Sequence, residues 1–218
     1  MNWSADSPTI YLVDGDPEFR HYLNSELVAT DWRVEDFESA EALLAHEGLR
    51  SVGCVLLDNS LPGMTGLELQ KELAQRQLAL PVVFASLSAD VPTAVAAMKA
   101  GAFDFMLKSI PLSYLRERIQ SALALNDAHL RADEKQRQFA QRLAKVTERE
   151  HEVMALALTG SVNKQIAYRL GMSLRTVEGH RSRILLKTGV ESLLEFLYLA
   201  RKAGFDVDRH FPSPPAEL

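Results

Sequence analysis

The sequence predicts an α/β domain with a five-stranded, doubly wound parallel sheet, followed by a smaller all-α domain. Two observations predict the sheet. Short apolar runs recur along the first 110 residues, and helical periodicity follows each of them. A third observation marks the change of class, because glycine and proline are absent from Ser113 to Val146 and only amphipathic helices follow.

Five strands are predicted, four from strongly apolar runs and one, at 32–37, from a weaker run. Strands too apolar to face water on either side indicate a sheet covered by helices on both faces. Cys54 lies within one of these runs, so we expect a small buried hydrophobic side chain with no chemical role. The predicted strands are 10–13, 32–37, 52–57, 82–85 and 103–107, within a domain that spans 1–125.

The segment after the sheet predicts a helical linker over 126–145, and its first part, NDAHLRADEKQRQ, is too polar to be buried on any face. A broken heptad-like stripe runs through this region. It pairs two chains in a dimer or packs on its own domain, and the sequence leaves both open. The stripe consists of Leu115, Ile119, Ala122, Phe139, Leu143 and Val146.

A helix-turn-helix is predicted within the last domain, over 146–209, and a disordered tail over 210–218. Thr147 followed by Glu150 forms a capping box that begins a helix. A helix over 163–170, a tight turn at Gly171 and a helix capped by Ser173 come next. A fourth helix is predicted over 191–203.

The two halves of the chain carry opposite charge. Residues 1–110 hold 7 Lys/Arg against 16 Asp/Glu, and residues 111–218 hold 17 against 13. A basic second half suggests a nucleic-acid partner, although charge alone fits other acidic partners. No apolar run approaches the roughly 20 residues that span a bilayer, and the N-terminus lacks the basic stretch of a signal peptide. We therefore expect a cytoplasmic protein without membrane contact.

Four polar residues stand where predicted strands end. They are Asp14, Asp58, Ser86 and Lys108. Ligands of open α/β sheets bind beyond the carboxyl ends of the strands, so these side chains predict a site suited to phosphoryl chemistry. Asp58 would be the nucleophile, with Mg²⁺ held by Asp14 and Asp58. Lys108 and the Ser86 hydroxyl would hold the phosphoryl oxygens.

The segments LVDGDP, VLLDNSLPGMTG, VVFASLSADV and AMKAGAFDFMLK resemble the receiver domains of two-component response regulators, over residues 9 to about 125. The resemblance implies a flavodoxin-like fold and phosphorylation of Asp58 by a partner histidine kinase. It also implies that the Ser60 backbone ligates the metal and that Phe105 is an aromatic switch. Phe105 can be a core aromatic as well.

Two positions depart from the receiver pattern. Gly15 stands where the family has the second of two adjacent acidic residues, which puts Mg²⁺ binding in doubt. Asp16 is a substitute ligand, but with Pro17 behind it an N-cap of the next helix is favoured. Ser109 replaces the proline that follows the family's lysine, so we expect a trans Lys108–Ser109 bond.

Basic residues concentrate between 163 and 187, with six Lys/Arg against the single acidic Glu178. In a helix-turn-helix, Arg175, Thr176 and the amides of the second helix's N-terminus would contact DNA phosphates. Glu178, Gly179 and Ser182 would face base edges in the major groove. Glu178 alternatively forms an ion pair with Arg181 or Arg175. The full candidate set is Lys164, Arg175, Thr176, Glu178, Gly179, His180, Arg181, Ser182, Arg183 and Lys187.

The segment LTGSVNKQIAYRLGMSLRTVEGHRSRILLKTGVES resembles the DNA-binding domain of NarL/FixJ (LuxR-type) regulators, and FixJ-like members in particular. The resemblance implies a transcription regulator rather than an enzyme, with promoter DNA and RNA polymerase as partners. We expect it to bind DNA as a homodimer, since each helix-turn-helix contacts one half-site.

Two alternatives remain. One is a pseudo-receiver transcription factor that works without phosphorylation, as Gly15 suggests. The other is a small haloacid-dehalogenase-type phosphatase, because a strand ending in DGD resembles the nucleophile motif of those enzymes. The phosphatase would leave Asp58, Ser86 and Lys108 without roles, and activity on small phosphate esters distinguishes it.

Overall fold

The computed structural model describes residues 7–27, 31–49, 52–88 and 90–203. The chain divides into two compact units, Met1–Leu130 and Arg131–Leu218. This division falls inside the segment 126–145 that the sequence assigns to a linker. The predicted disordered tail, 210–218, lies outside the described residues.

The first unit contains a five-stranded parallel sheet in the order β2-β1-β3-β4-β5, which confirms the doubly wound prediction. Each strand lies within one or two residues of its predicted bounds. The strands are β1 (Thr9–Val13), β2 (Arg33–Phe37), β3 (Gly53–Leu57), β4 (Val82–Ser86) and β5 (Asp104–Leu107). The helices that connect them are α1 (Pro17–Leu27), α2 (Ala40–Leu44), α3 (Gly66–Gln75) and α4 (Val91–Lys99).

Alternate side chains of the central strands are buried in two apolar cores, one on each face of the sheet. Tyr11 and Val13 of β1 point into the core under α2, α3 and α4, whereas Ile10 and Leu12 point into the core under α1 and the long helix that follows β5. Every residue of β1, β3 and β4 is buried, as expected for strands covered on both faces. Cys54 is one of these buried hydrophobic residues, and burial raises its thiol pKa to about 12.

The predicted long helix is α5 (Leu112–Leu143), and the stripe along it is buried within the chain. Leu115, Ile119 and Ala122 pack in the first unit's core. Phe139 and Leu143 are buried in a core of the second unit, with Val146 packed beside them. Of the two alternatives left open above, packing on the chain's own domains is therefore confirmed for this stripe.

One residue corrects the prediction that the segment 126–138 is too polar to be buried on any face. Asn126 is buried, and its Oδ1 accepts a hydrogen bond from the Gly53 amide at 2.9 Å. Its Nδ2 donates to the Ala79 carbonyl at 2.7 Å. A polar side chain can be buried here because both of its ends find backbone partners.

The rest of the second unit is helical, as predicted. The capping box of Thr147 and Glu150 and the Ser173 cap are both present. Gly171 has φ 62°, the left-handed conformation that ends a helix without steric cost only for glycine. The helices are α6 (Glu148–Leu158), α7 (Asn163–Leu170), α8 (Leu174–Thr188) and α9 (Leu193–Lys202). None of the helices in the described part of the chain combines the length and hydrophobicity of a membrane-spanning segment.

Candidate functional site

Four polar side chains meet at the carboxyl edge of the sheet in the first unit. Asp14 follows β1, Asp58 follows β3, Ser86 ends β4 and Lys108 follows β5. The strands are parallel, so these four residues share one edge. The structure brings together all four residues that the sequence placed at strand ends, and all of them are buried or nearly so.

Lys108 joins two carboxylates in this cluster. Its Nζ lies 2.5 Å from Asp14 Oδ2 and 2.8 Å from Asp58 Oδ2, and its side chain is 4% exposed. Burial alone would lower the pKa of Lys108, but the hydrogen bonds and charges of the two carboxylates raise it above its usual value. Burial raises the pKa of Asp14, although hydrogen bonds from Lys108 and the Asp16 amide oppose this. Two carboxylates therefore share one charged lysine.

Hydrogen-bond donors surround the Asp58 carboxylate. Oδ1 accepts from the Ser60 amide and from the Ser86 hydroxyl, each at 3.1 Å, while Oδ2 contacts Lys108. Donors of this kind stabilise an anion that grows in charge. Nearby, Phe105 is half-buried and stacks on Phe84, with the ring centroids 5.3 Å apart. Phe105 is thus a core aromatic, a role that does not exclude a switch.

The Asp16 carboxylate is engaged at the start of α1. Its Oδ1 accepts from the amides of Glu18 at 2.9 Å and Phe19 at 3.4 Å. Asp16 therefore caps α1, with Pro17 as the first helical residue, and the favoured alternative is confirmed. The Lys108–Ser109 bond is trans, as predicted.

Because residue 15 is glycine, the cluster has two carboxylates, those of Asp14 and Asp58, to bind a cation. Among residues 7–27, 31–49, 52–88 and 90–203, no three His, Cys, Asp or Glu side chains are grouped as a metal site. A Cβ added at Gly15 would lie 3.2 Å from Pro62 Cδ and 3.9 Å from the Ser60 carbonyl oxygen. Asp14 and Asp58 are the carboxylates that remain, with the Ser60 carbonyl on the side of Gly15.

Two residues that support the cluster escaped the sequence analysis. Arg20 donates to the Asp14 carbonyl oxygen at 2.6 Å and so holds the turn after β1. A Cβ added at Gly66 would come within 2.5 Å of the Asp58 carbonyl oxygen, so only glycine lets α3 begin this close to the Asp58 backbone. Gly66 belongs to the motif VLLDNSLPGMTG and was a visible signal, whereas the contact of Arg20 depends on tertiary structure.

The second unit holds the helix-turn-helix in α7 and α8. The buried face of α8 consists of Val177, Ile184 and Thr188. At about 100° per residue, Arg175 and Ser182 lie on the opposite side, where DNA would be contacted. The exposed members of the candidate set are Lys164, Arg175, Thr176, Glu178, Ser182 and Arg183, and the half-buried members are Gly179, His180, Arg181 and Lys187.

Several of these polar groups already have partners within the unit. Lys187 Nζ donates to Glu150 Oε2 at 2.6 Å, and Arg181 donates to Asn163 Oδ1 at 2.5 Å. Arg183 Nε donates to the Gly179 carbonyl oxygen at 3.0 Å. Within the described part of the chain Glu178 makes no ion pair, so the alternative that pairs it with a neighbouring arginine gains no support.

These features define a class of protein with two working parts. One part presents a buried aspartate among donors suited to a phosphoryl group, and the other presents a basic helix-turn-helix suited to DNA. A signalling regulator that converts phosphorylation into DNA binding combines both. Comparison with known proteins agrees with this class.

Residues 10–120 match the family described as "Response regulator receiver domain", and residues 144–200 match "Bacterial regulatory proteins, luxR family". The chain is 38% identical to the C4-dicarboxylate transport transcriptional regulatory protein DctR of Rhodobacter capsulatus, over 86% of this chain and 96% of that one. It is 36% identical to the transcriptional regulatory protein FixJ of Bradyrhizobium diazoefficiens, over 89% and 95%. The solved structure of the response regulator StyR aligns with a TM-score of 0.75 and 38% identity, covering 90% of this chain and 99% of that one.

The chain therefore belongs to the two-component response regulators of the FixJ-like NarL/FixJ family. It is a DNA-binding transcription regulator controlled by phosphorylation, and its partners are DNA and a histidine kinase. This family is not an enzyme class, and the matches give the phosphatase alternative no support.

Proposed function

We propose that Asp58 is the residue that receives the phosphoryl group from the kinase. The observation that carries this proposal is the ring of donors on its carboxylate: Lys108 Nζ, Ser86 Oγ and the Ser60 amide. The phosphorus–nitrogen bond of the kinase phosphohistidine breaks as an Asp58 oxygen forms a new bond to phosphorus. Lys108 and Ser86 then bind the phosphoryl oxygens and balance their charge.

A Mg²⁺ ion fits this site through Asp14 and Asp58, because proteins usually hold Mg²⁺ by one or two carboxylates together with water. The Ser60 carbonyl oxygen is a further ligand on the same side. When bound, the ion neutralises charge on the phosphoryl group. Gly15 supplies no carboxylate, so we propose that Mg²⁺ binding is weak.

The signal would leave the site through Ser86 and Phe105. Ser86 donates to Asp58 in the described state and would follow the phosphoryl group once it forms. Phe105 lies on the neighbouring strand β5 and would turn inward as Ser86 moves. Phe105 is half-buried and stacks on Phe84, and a ring that is only half-buried can become more buried. This position supports the proposed switch role of Phe105.

Labelling with acetyl phosphate tests the phosphoacceptor. The full-length protein should become labelled at high Mg²⁺, and Asp58→Asn should abolish the label. Asp90→Asn is the matched control, because Asp90 is a carboxylate of the same unit that caps α4 through the Thr93 amide. The absence of label at every Mg²⁺ concentration would support the pseudo-receiver alternative, which Gly15 favours.

In the second unit, we propose that α8 enters the major groove of promoter DNA and that two copies bind an imperfect palindrome. Exposed leucine and tyrosine side chains on α9 support a homodimer, since Leu194 is 78% and Tyr198 58% exposed. Bound at a promoter in the cytoplasm, the dimer would act on RNA polymerase. The proposed DNA contacts are Lys164, Arg175, Thr176, Glu178, Gly179, His180, Arg181, Ser182, Arg183 and Lys187.

Footprinting on a DNA selected by the full-length protein tests this interface. Two protected half-sites about 10 base pairs apart are expected. Leu194→Asp should reduce the footprint to one half-site by separating the protomers, whereas Leu125→Asp, the same substitution at an exposed leucine of α5, should not. A single protected half-site at all concentrations of the unaltered protein would contradict the dimer.

A further inference from the structure

The basic residues of the helix-turn-helix fall into two groups according to where their charged groups go. Lys164, Arg169, Arg175 and Arg183 are exposed. Lys187 and Arg181 instead extend their charged groups to other helices, Lys187 to Glu150 on α6 and Arg181 to Asn163 at the start of α7. The amino-acid composition of the segment does not separate these groups.

Position along α8 supports the same division. With Val177 and Ile184 on the buried face, a rotation of about 100° per residue puts Arg175 and Ser182 on the far side. The same rotation puts Arg181 and Lys187 on the two flanks of the buried stripe. From the flanks of the buried stripe, each of these two side chains extends toward α6 or α7 rather than toward the groove of bound DNA.

Glu150 is the stronger of the two anchors. It is 2% exposed, and its Oε2 accepts from the Thr147 amide, the Thr147 hydroxyl and Lys187 Nζ, at 2.9, 2.9 and 2.6 Å. A carboxylate buried this deeply needs a cation or several donors, because the loss of hydration is otherwise uncompensated. Lys187 supplies the cation from the last turn of α8, so the start of α6 and the end of α8 are joined at one oxygen atom.

We propose that Glu150 and Asn163 are positioning residues for α8, the recognition helix that enters the major groove. Lys187 and Arg181 then act through these two residues instead of neutralising DNA phosphates. The proposal rests on the DNA-binding function proposed above and removes two residues from its set of phosphate-binding side chains. Glu150 holds the C-terminal end of α8, and Asn163 holds its middle. These two contacts, Lys187–Glu150 and Arg181–Asn163, hold α8 in place in the absence of DNA.

The salt dependence of DNA binding distinguishes the two roles. A variant that no longer neutralises one DNA phosphate shows a slope of log affinity against log salt that is smaller by about 1. Lys187→Met should leave this slope unchanged, while lowering the preference for selected DNA over unrelated DNA about tenfold. Lys164→Met is the matched control, because this exposed lysine should lower the slope by about 1 and affect both DNAs alike.

Further variants test the route through Glu150. Glu150→Gln should reproduce the loss of preference without a change in slope, and the double variant Glu150→Gln/Lys187→Met should be no worse than either single one. Lys187→Arg retains the cation and should restore the preference. Asn163→Ala should act like Glu150→Gln through Arg181.

All measurements use the full-length protein, with far-ultraviolet circular dichroism to show that each variant is folded. If Lys187→Met alone unfolds, the double variant, which lacks the unpaired buried charge, carries the test of slope. A slope reduced by about 1 in Lys187→Met, with the preference retained in Glu150→Gln, would overturn the proposal. Absence of salt-dependent binding by the unaltered protein would instead contradict the DNA-binding function itself.

Discussion

Each unit of this chain contains a lysine bound to carboxylate, and the two contacts differ in their balance of charge. In the first unit Lys108 is shared by Asp14 and Asp58, which leaves one negative charge in excess. In the second unit Lys187 meets the single carboxylate of Glu150, which is also saturated by donors from Thr147. The excess negative charge suits the first site to a further cation or an electrophile, whereas the balanced pair of the second unit has no charge left for either.

The pKa shifts express the same difference. Burial raises the pKa of Asp14 even with Lys108 beside it. Burial would also raise the pKa of Glu150, but the hydrogen bonds from Lys187 and Thr147 and the charge of Lys187 lower it to about 2. The same pair of residue types therefore produces a poorly stabilised carboxylate in one unit and a strongly stabilised one in the other. The number of carboxylates for each lysine, two in the first unit and one in the second, separates the two sites, and not the presence of a lysine.

Acid titration gives the largest expected effect. The folded pKa of Glu150 is about 2 against 4.5 for the free side chain, so its contribution to stability is complete above pH 4.5 and disappears as the pH falls through about 2. The loss is on the order of 3 kcal/mol. We expect it in urea unfolding of the second unit and not in Glu150→Gln.

The two units can be followed separately in that experiment. No tryptophan follows Leu130, and Trp32 packs against a core of the first unit, so Trp32 fluorescence reports that unit. Helical circular dichroism includes the second unit. An acid-dependent loss of equal size in Glu150→Gln would assign the effect to other groups and end the contrast between the two lysine contacts.

A third carboxylate sharpens the comparison, because Glu178 is exposed on α8 and has no ion pair within the described ranges. Glu178→Ala should hardly alter stability. It should change the preferred DNA sequence, with a loss of discrimination of roughly 1 to 3 kcal/mol if the carboxylate accepts from a base. Selection of DNA by the two proteins measures this, and identical selected sequences would make Glu178 a solvated surface residue.

Gly15→Asp makes the first site more acidic and gives the smallest expected effect. The new carboxylate should tighten Mg²⁺ binding about tenfold, as expected for a group that supports a metal site, and should speed labelling of Asp58. The Cβ meets Pro62 at 3.2 Å, so the loop must shift by a few tenths of an ångström.

Gly15→Ala is the control for that shift, because it adds the Cβ without the charge. Calorimetric titration with Mg²⁺ and acetyl phosphate labelling measure both effects. Equal Mg²⁺ affinity in the unaltered protein and Gly15→Asp would mean that Gly15 is no handicap to the site.

Sequence patterns predicted the parts of this molecule that depend on local order. Apolar runs located the strands, and the parallel sheet then forced Asp14, Asp58, Ser86 and Lys108 to one edge. Local capping rules placed Thr147 and Ser173 at helix starts.

Contacts between distant residues were not predicted. Lys187 and Glu150 are 37 positions apart, and Asn126 and Gly53 are 73 apart. The sequence assigned Glu150 to a capping box, Lys187 to DNA and Asn126 to an exposed helix, because no local pattern shows which buried backbone group or carboxylate will need a distant partner. Asp16 shows the opposite case, because its local pattern, an aspartate directly before Pro17, predicted the helix cap that the structure contains.

The hydrogen bond between Asn126 and Gly53 lies at the start of β3, at the end of the strand opposite Asp58. The Gly53 amide proton can therefore be used to follow the contact between α5 and the sheet. The Gly53 amide proton is held by Asn126 Oδ1, a side chain of α5, and not by another strand. Its exchange with solvent deuterium therefore requires the contact with the Asn126 side chain to open, while amides paired within β3 exchange only when strands separate. Exchange of this one amide proton thus reports how often the contact between α5 and the start of β3 opens.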